Sequence, residues 1–454
     1  MAAGEGTRMR SSLPKMLHPV CGRALVAWPV LAARAAGAER VVAIVSPGHD
    51  ISAGLPEGTE TVVQPTPDGT GGAARAALPV IRESETVIVL SGDHALVDAG
   101  TIAGLFQAHA ANSAAATMLT FELEEPGAYG RVVRAPGGDV ERVVETKEAD
   151  AVDPEVLAIH EVNTGTYAFD GGLLAEALEG VSADNPAGEY LLPDVFPVLR
   201  GAGHAIAGHL VEDIGVTMGI NNRAELAAVE VEARRRILEA HMLAGVTVVD
   251  PASTWVDADV EIAADARIEP GTSLRGHSEV GAGSVVGPLT TLAGTKLGSG
   301  VSVPHSFLVD CEVLDGCSVG PFAYLRPGAR LEAGAKAGSF VEVKNSRIGE
   351  GAKVPHLAYV GDADVGAGSN LGAGTITANY DGFRKHRTVI GAGARIGVDT
   401  MLIAPVEVGD SAYTGAGTVV QEDVPDGALA VSQNEQRNIE GFADRKAAEA
   451  REDK

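Results

Sequence analysis

The sequence predicts two domains in one chain: a doubly wound α/β domain, then a parallel β-helix built from hexapeptide repeats. Three observations carry this. Up to residue 223, apolar β-branched runs alternate with helical stretches, the pattern of a sheet with crossover helices. Residues 224–244 are rich in Ala, Glu, Arg and Leu and lack glycine, which reads as one linker helix. From residue 245 to 454 the period changes, and aliphatic residues recur at every sixth position. The length of 454 residues is itself too great for one ordinary core.

In the first domain, strands are expected at VVAIVS from Val41, TVVQ from Thr61 and TVIVLSGD from Thr86. Helices are expected in ALVAWPVLAARAAG from Ala24 and TGGAARAALPVI from Thr70, and a hairpin at the PGGD turn of residues 136–139. The sheet is expected to be largely parallel, with ligands beyond the carboxyl ends of its strands. In the second domain the run Val256, Ile262, Ile268, Leu274, Val280, Val286 and Leu292 keeps strict phase. So do Val319, Leu325 and Leu331, and later Ile390, Ile396, Leu402 and Val408, with Thr414 in an aliphatic slot and Val420 in phase. Six residues make one flat face and its corner, three faces close a coil, and the aliphatics stack inward. Each coil buries its interior only against its neighbours. An aromatic content of 4% with 57 glycines suits such a narrow core. The phase breaks near residues 298–310 and 376–389, where loops are expected, and the tail from 438 to 454 reads as a terminal helix or a frayed end.

A net charge of −26 offers no basic face to nucleic acid and is repelled by anionic membranes. Three cysteines without a CxxC pair argue for a reducing compartment and against structural zinc. No apolar run is long enough to span a bilayer, and the first residues lack the apolar core of a signal peptide, so a cytoplasmic location without membrane insertion is expected. Against so acidic a background, single basic residues in Gly-rich loops gain meaning.

The opening AAGEGTRMRSSLPK places Gly4 and Gly6 in a tight loop with Arg8 and Lys15. Such a loop lets backbone N–H groups approach phosphate oxygens while the cations offset their charge. A lone GxG also marks an ordinary turn, whereas GxGTRM followed by LPK is far more specific. Asp93 ends the strand VIVLSGD, where it could ligate Mg²⁺ beside phosphate oxygens or merely cap a helix. Gln64 and the DGTGGAA turn from Asp68 suit reading a base with backbone amides. YGRVV from Tyr129, VVETKEAD from Val143, NTGTY from Asn163 and GINNR from Gly219 lie at strand ends or loops.

In the second domain, polar clusters interrupt the hexapeptides: LRPG with Arg326, FVEVKN with Lys344, PHLAYVGD with His356 and Tyr359, SNLGAGT with Asn370, and ANYDGFRKH with Asn379, Tyr380 and Lys385. Acylating an amine needs a base to take the proton as nitrogen attacks a thioester, and histidine suits neutral pH. Alone, His356 would read as a solvated turn residue; NYDG and LRPG on a hexapeptide solenoid reverse that reading.

Together these motifs resemble sugar-1-phosphate nucleotidylyltransferases. Over nearly the whole chain they resemble the bifunctional family of N-acetylglucosamine-1-phosphate uridylyltransferases/glucosamine-1-phosphate N-acetyltransferases. The resemblance implies a Rossmann-like nucleotidyltransferase domain, a left-handed β-helix, and a homotrimer with acetyl-transfer sites between subunits. It implies synthesis of UDP-N-acetylglucosamine from glucosamine 1-phosphate, acetyl-CoA and UTP with Mg²⁺. On the nucleotide side it points to Met1, Ala2, Ala3, Gly4, Arg8, Lys15, Ser91 and Gly92, with Gln64, Gly69 and Thr70 reading uracil. Gly130, Glu145 and Asn163 would hold the amino sugar, and Asp93 and Asn221 the metal. In the second domain it implies His356 as proton acceptor, and Arg326, Lys344, Tyr359, Asn370 and Lys385 on glucosamine 1-phosphate. Ala373, Asn379, Tyr380, Val398, Ala416 and Gln433 would contact acetyl-CoA. The chain departs from the family pattern at Val398, where serine is usual, and at Gln433, where some members place arginine. His94 stands where proline commonly follows GD. The family also has an apolar strand leading into the phosphate loop, where this chain has Met1, so a vacant position in the central sheet is expected.

Two other readings compete: a nucleotidylyltransferase for a different sugar phosphate whose β-helix serves only assembly, and a non-enzymatic oligomeric scaffold. The cluster of His356, Lys344, Lys385, Asn379 and Tyr380 argues against the first. The presence of Lys15, Asp93, Asn221 and His356 argues against the second. A hexapeptide-type carbonic anhydrase would need a histidine metal cluster, for which His356 and His386 are too few.

Overall fold

The computed structural model describes all residues except 5, 128, 145, 147–151, 185–187, 433–435 and 453–454. Two compact units result, Met1–Glu239 with Asp257–Asp259, and Ala240–Val256 with Val260–Lys454. The helix Arg223–Leu243 contains the division. No helix among the described residues is long and apolar enough to cross a membrane.

In the first unit, Val42–Val45 pairs in parallel with Glu60–Val63, and Ile206–Leu210 with Ala116–Glu122. The long strand Glu161–Asp170 runs antiparallel to Thr86–Val89, Ala116–Glu122 and Arg131–Arg134. The sheet is therefore mixed where a largely parallel one was expected, because apolar runs specify strands and not their direction. The hairpin Arg131–Arg134/Val140–Val144 closes around the PGGD turn. Side chains alternate along Glu161–Asp170, as a strand requires. Tyr167 and Phe169 enter a cluster with Ile81, Leu174, Leu178 and Phe196, while Ala168 meets Leu105 and Leu119. Helices thus cover both faces, Leu78–Glu83, Gly171–Gly180 and Val195–Gly201 on one and Ala99–Asn112 on the other.

The second unit is the expected left-handed parallel β-helix, with three sheets of 11, 10 and 9 strands among the described residues. Leu274, Leu292, Leu308, Leu325, Val343 and Val360 pair coil to coil and are fully buried, one interior column of the six-residue period. Truncating Leu292 opens a void between Leu274 and Leu308. Leu292→Ala is expected to cost about 2–5 kcal/mol, read as a lowered midpoint of thermal unfolding.

The corners explain the rest of the pattern. One edge carries residues with left-handed backbone at Leu289, His305, Phe322, Phe340 and Leu357. The Leu289, Phe322, Phe340 and Leu357 side chains face solvent, and the Phe322 and Phe340 rings stack with centroids 5.3 Å apart. The next edge turns at Asp310, Gly328, Asn345 and Asp362, residue types that tolerate positive φ. The phase break at 298–310 is not a loop. Partner residues are 18 positions apart at Trp255 and Ser273 but 16 apart at Thr291 and Phe307, so a shortened coil continues the stack. The break at 376–389 is a true excursion, a tight hairpin in which Tyr380 bridges Lys385. The tail ends in a helix, Phe442–Glu452.

Candidate functional site

The first unit gathers its candidate residues beyond the carboxyl ends of three strands. Met1 donates to Leu90 O at 2.7 Å, Ala2 N–H to Ile44 O at 2.8 Å, and Gly92 N–H to Met1 O at 2.8 Å. Met1 and Ala2 thereby bridge the end of Val42–Val45 to the segment that carries Ser91, Gly92 and Asp93, while Val42–Val45 and Thr86–Val89 belong to separate sheets, as the expected vacancy requires. Ala3 and Gly4 follow, and the loop tightens at Gly6, where φ is +63 and a Cβ would lie 2.5 Å from that of Lys15. The chain turns back so that buried Lys15 donates to Asp93 Oδ2 at 2.5 Å, while the Ser91 hydroxyl donates to Oδ1 at 2.5 Å. Burial alone would raise the Asp93 pKa, but the charges of Lys15 and His94 and these hydrogen bonds hold it below the usual carboxylate range. The buried His94 is pushed below the ordinary histidine range, chiefly by burial.

Ile220 N–H donates to Asp93 O at 3.2 Å, which brings Asn221 next to Asp93, and Arg8 donates to Asn221 Oδ1 at 2.8 Å. The two residues expected to hold Mg²⁺ are thus brought near each other by the backbone, and each side chain meets a cation of the phosphate loop. A hard cation that takes few protein ligands and completes its shell with phosphate oxygens fits this pair. Among the described residues no group of three or more His, Cys, Asp or Glu could hold a metal.

Gln64 N–H donates to Val45 O at 2.8 Å, placing its buried side chain beside the same strand end as Ala2. Its amide donates to Asp68 Oδ1 and to Gly69 O at 2.9 and 3.1 Å, and the Thr70 hydroxyl accepts from Leu192 N–H at 2.9 Å. Gln64, Gly69 and Thr70 therefore form one rigid turn. A Cβ on Gly69, whose φ is +97, would lie 2.5 Å from Tyr190 O. Gly69→Ala is expected to cost about 1–3 kcal/mol of stability, the cost of strain of this kind, read as a lowered midpoint of thermal unfolding. Asn163 N–H donates to Gly130 O at 2.9 Å and its side chain to the Tyr167 hydroxyl at 2.9 Å. Because Tyr167 pairs with Val89, Asn163 lies past the carboxyl end of Thr86–Val89, on the side where Asp93 follows. Glu145 lies outside the described residues.

In the second unit, the candidate residues fall on two edges of one face. Along the first, His356 ends the strand Lys353–His356 and is exposed. Leu357 O accepts from Gly374 N–H at 3.2 Å, Ala373 O from Asp399 N–H at 2.7 Å, and Val398 O from Gly417 N–H at 2.8 Å. The acetyl-CoA candidates Ala373, Val398 and Ala416 therefore stack coil by coil in one column with His356. Asn370 lies on the strand paired with that of His356, opposite Lys353. Gln433 lies outside the described residues.

Along the second edge, Lys344, Tyr359, Asn379 and Lys385 converge on a residue the sequence reading did not single out. Asp362 is buried, accepts from Asn345 Nδ2 at 2.6 Å and Asn379 Nδ2 at 2.5 Å, and lies 3.6 Å from Lys344 Nζ. Asn379 Nδ2 also lies 3.5 Å from the Tyr359 hydroxyl. The hairpin that carries Lys385 is pinned by Asp381, whose carboxylate accepts from Phe383 and Arg384 N–H and pairs with His386 at 2.7 Å. The Tyr380 hydroxyl donates to Gly382 O at 2.6 Å. Arg326 donates to Glu342 Oε1 at 2.8 Å on the same face. Lys385 is held below the ordinary lysine range, chiefly by neighbouring Lys344. The need of two lysines and an arginine for a nearby acid was the signal that could have found Asp362. One chain does not bring His356 onto this cluster, because His356 and Asp362 bound opposite edges of the strand Tyr359–Gly361.

Comparison with known proteins agrees with both halves. Residues 1–155 match the model of the MobA-like NTP transferase domain. Over 98% of its length the chain is 46% identical to the bifunctional protein GlmU of Mycobacterium bovis, covering 92% of that protein. It is 47% identical to that of Streptomyces avermitilis and 44% identical to that of Corynebacterium efficiens, each over 98% of this chain and 93% of the relative. Identity of this extent across both units means that the chain belongs to the bifunctional GlmU family.

Proposed function

We infer that the chain makes UDP-N-acetylglucosamine in two steps, one in each unit. In the β-helix unit the amine of glucosamine 1-phosphate attacks the thioester carbonyl of acetyl-CoA. His356 takes the proton released from nitrogen, and CoA leaves as the thiol. Arg326, Lys344, Tyr359, Asn370 and Lys385 hold the sugar phosphate, and Ala373, Asn379, Tyr380, Val398, Ala416 and Gln433 the CoA. In the N-terminal unit a phosphate oxygen of N-acetylglucosamine 1-phosphate attacks the α-phosphorus of UTP and pyrophosphate leaves. Residues 1–4 with Arg8, Lys15, Ser91 and Gly92 cradle the phosphates. Gln64, Gly69 and Thr70 orient uracil, and Gly130, Glu145 and Asn163 the amino sugar. Mg²⁺, held by Asp93 and Asn221, would neutralise phosphate charge. The observation that carries the reading is that one chain holds both constellations, Lys15 on Asp93 in one unit and the lysine pair around Asp362 in the other.

The separation of His356 from the lysine cluster supports acetyl-transfer sites completed between copies in a homotrimer. So does the exposed apolar ladder of Leu289, Phe322, Phe340 and Leu357 beside His356, a surface of the kind that subunits cover. Three cysteines, all buried, fit a reducing, cytoplasmic location. A paired assay on purified protein tests the function: thiol release from acetyl-CoA with glucosamine 1-phosphate, then pyrophosphate release once UTP and Mg²⁺ are added. Absence of either product removes the corresponding half of the reading.

A further inference from the structure

We propose that Asp362 is the positioning residue of acetyl transfer, one carboxylate that holds a group for each substrate. The proposal rests on the function inferred above. Its two oxygens divide the work. Oδ1 accepts from Asn345, which turns the preceding corner, and Oδ2 accepts from Asn379 and faces Lys344. Asn379 is on the acetyl-CoA side and Lys344 on the sugar-phosphate side, so a single buried group sets the spacing between thioester and amine. Its backbone is committed to the same task. Asp362 N–H donates to Lys344 O at 3.0 Å, and Asp362 O accepts from Thr388 N–H at 3.2 Å. The corner has φ +50, which aspartate and asparagine tolerate better than other side chains.

The second contribution is charge. Lys344 and Lys385 perturb each other, with Arg326 adding to the positive field at Lys385. Other titratable groups near the cluster are Tyr359, Glu342 paired with Arg326, and Arg387 paired with Asp364. Asp362 is the buried carboxylate that faces both lysines. Burial acts to raise its own pKa, but the hydrogen bonds from Asn345 and Asn379 and the two lysine charges hold it below the usual range. Its negative charge favours the charged form of both ammonium groups that would meet an incoming phosphate.

Asp362→Asn keeps the size and the left-handed backbone but removes the charge and turns one amide against another. Wild-type protein is assayed first for thiol release with acetyl-CoA and glucosamine 1-phosphate; failure there removes the inferred function and this proposal with it. In the variant, kcat/KM for glucosamine 1-phosphate is expected to fall about 10²-fold, the size of loss that small misplacements of reacting groups cause. Without the carboxylate the lysine pair sheds its first proton more easily. The alkaline limb of the kcat/KM profile therefore moves to lower pH by roughly one unit. Pyrophosphate release from UTP is expected to stay at the wild-type rate. Kinetic constants within twofold of wild type would overturn the proposal. So would a fall in activity that leaves the pH profile in place and tracks a lower melting temperature, since that marks a merely structural corner.

Discussion

Asp93→Asn is expected to lower pyrophosphate release from UTP by at least about 10³-fold, the scale on which charge stabilisation at a phosphoryl centre operates. Thiol release from acetyl-CoA should keep its wild-type rate. In the free protein Asp93 accepts from Lys15 and Ser91, and the adjoining backbone bond fixes Asn221 alongside. Neutralising Asp93 removes the anionic ligand of the proposed metal pair and leaves Lys15 a weaker partner. Titrating the variant with Mn²⁺ in the presence of UTP gives a readout apart from turnover, and an affinity equal to wild type would count against the assignment. A matching loss of acetyl transfer would mean that the two sites are not independent.

His356→Ala is expected to do the reverse, cutting thiol release by about 10²–10⁴-fold, the usual worth of a positioned base, with the UTP reaction untouched. The geometry adds a sharper test. His356 and the Lys344–Asp362–Lys385 cluster lie on different edges of the β-helix, so a site completed between copies draws one edge from each. Co-expressing His356→Ala chains with Lys344→Ala chains should therefore restore a measurable fraction of acetyl transfer, because some interfaces in the mixture combine an intact His356 with an intact Lys344. Mixtures as inactive as either variant alone would place both edges in one chain's site.

The interior of the second unit was legible because its period is a packing requirement: one inward aliphatic per face, repeated until the column from Leu274 to Val360 is filled. The corners were less legible. A coil needs three turns rather than a fixed number of residues, so the shortened coil at Thr291–Phe307 broke the count without breaking the stack. Lys15 and Asp93 stood out because each sits in a short motif, although nothing in their spacing foretold their ion pair. Asp362 did not stand out, since its partners Lys344 and Asn379 belong to neighbouring coils and approach it only after the chain has wound round. Strand direction was invisible for a similar reason. The motif NTGTY reads as a strand end or loop, yet it lies inside the strand Glu161–Asp170, whose antiparallel sense follows from the path of the chain on either side.

The pairing distances, 16 positions at Thr291–Phe307, 18 at Trp255–Ser273 and 25 at Ala363–Thr388 where the hairpin intervenes, also bear on how the second unit is assembled in time. Wiring of such short range asks little loop-closure entropy of each added coil, so order can begin at any well-filled segment and spread in both directions like a zip fastener. A flaw in the middle of such a stack would stall the spread on both sides of it and leave two ordered blocks. Partial melting in separable steps, visible as successive losses of amide protection, is the behaviour this wiring favours over a single collapse.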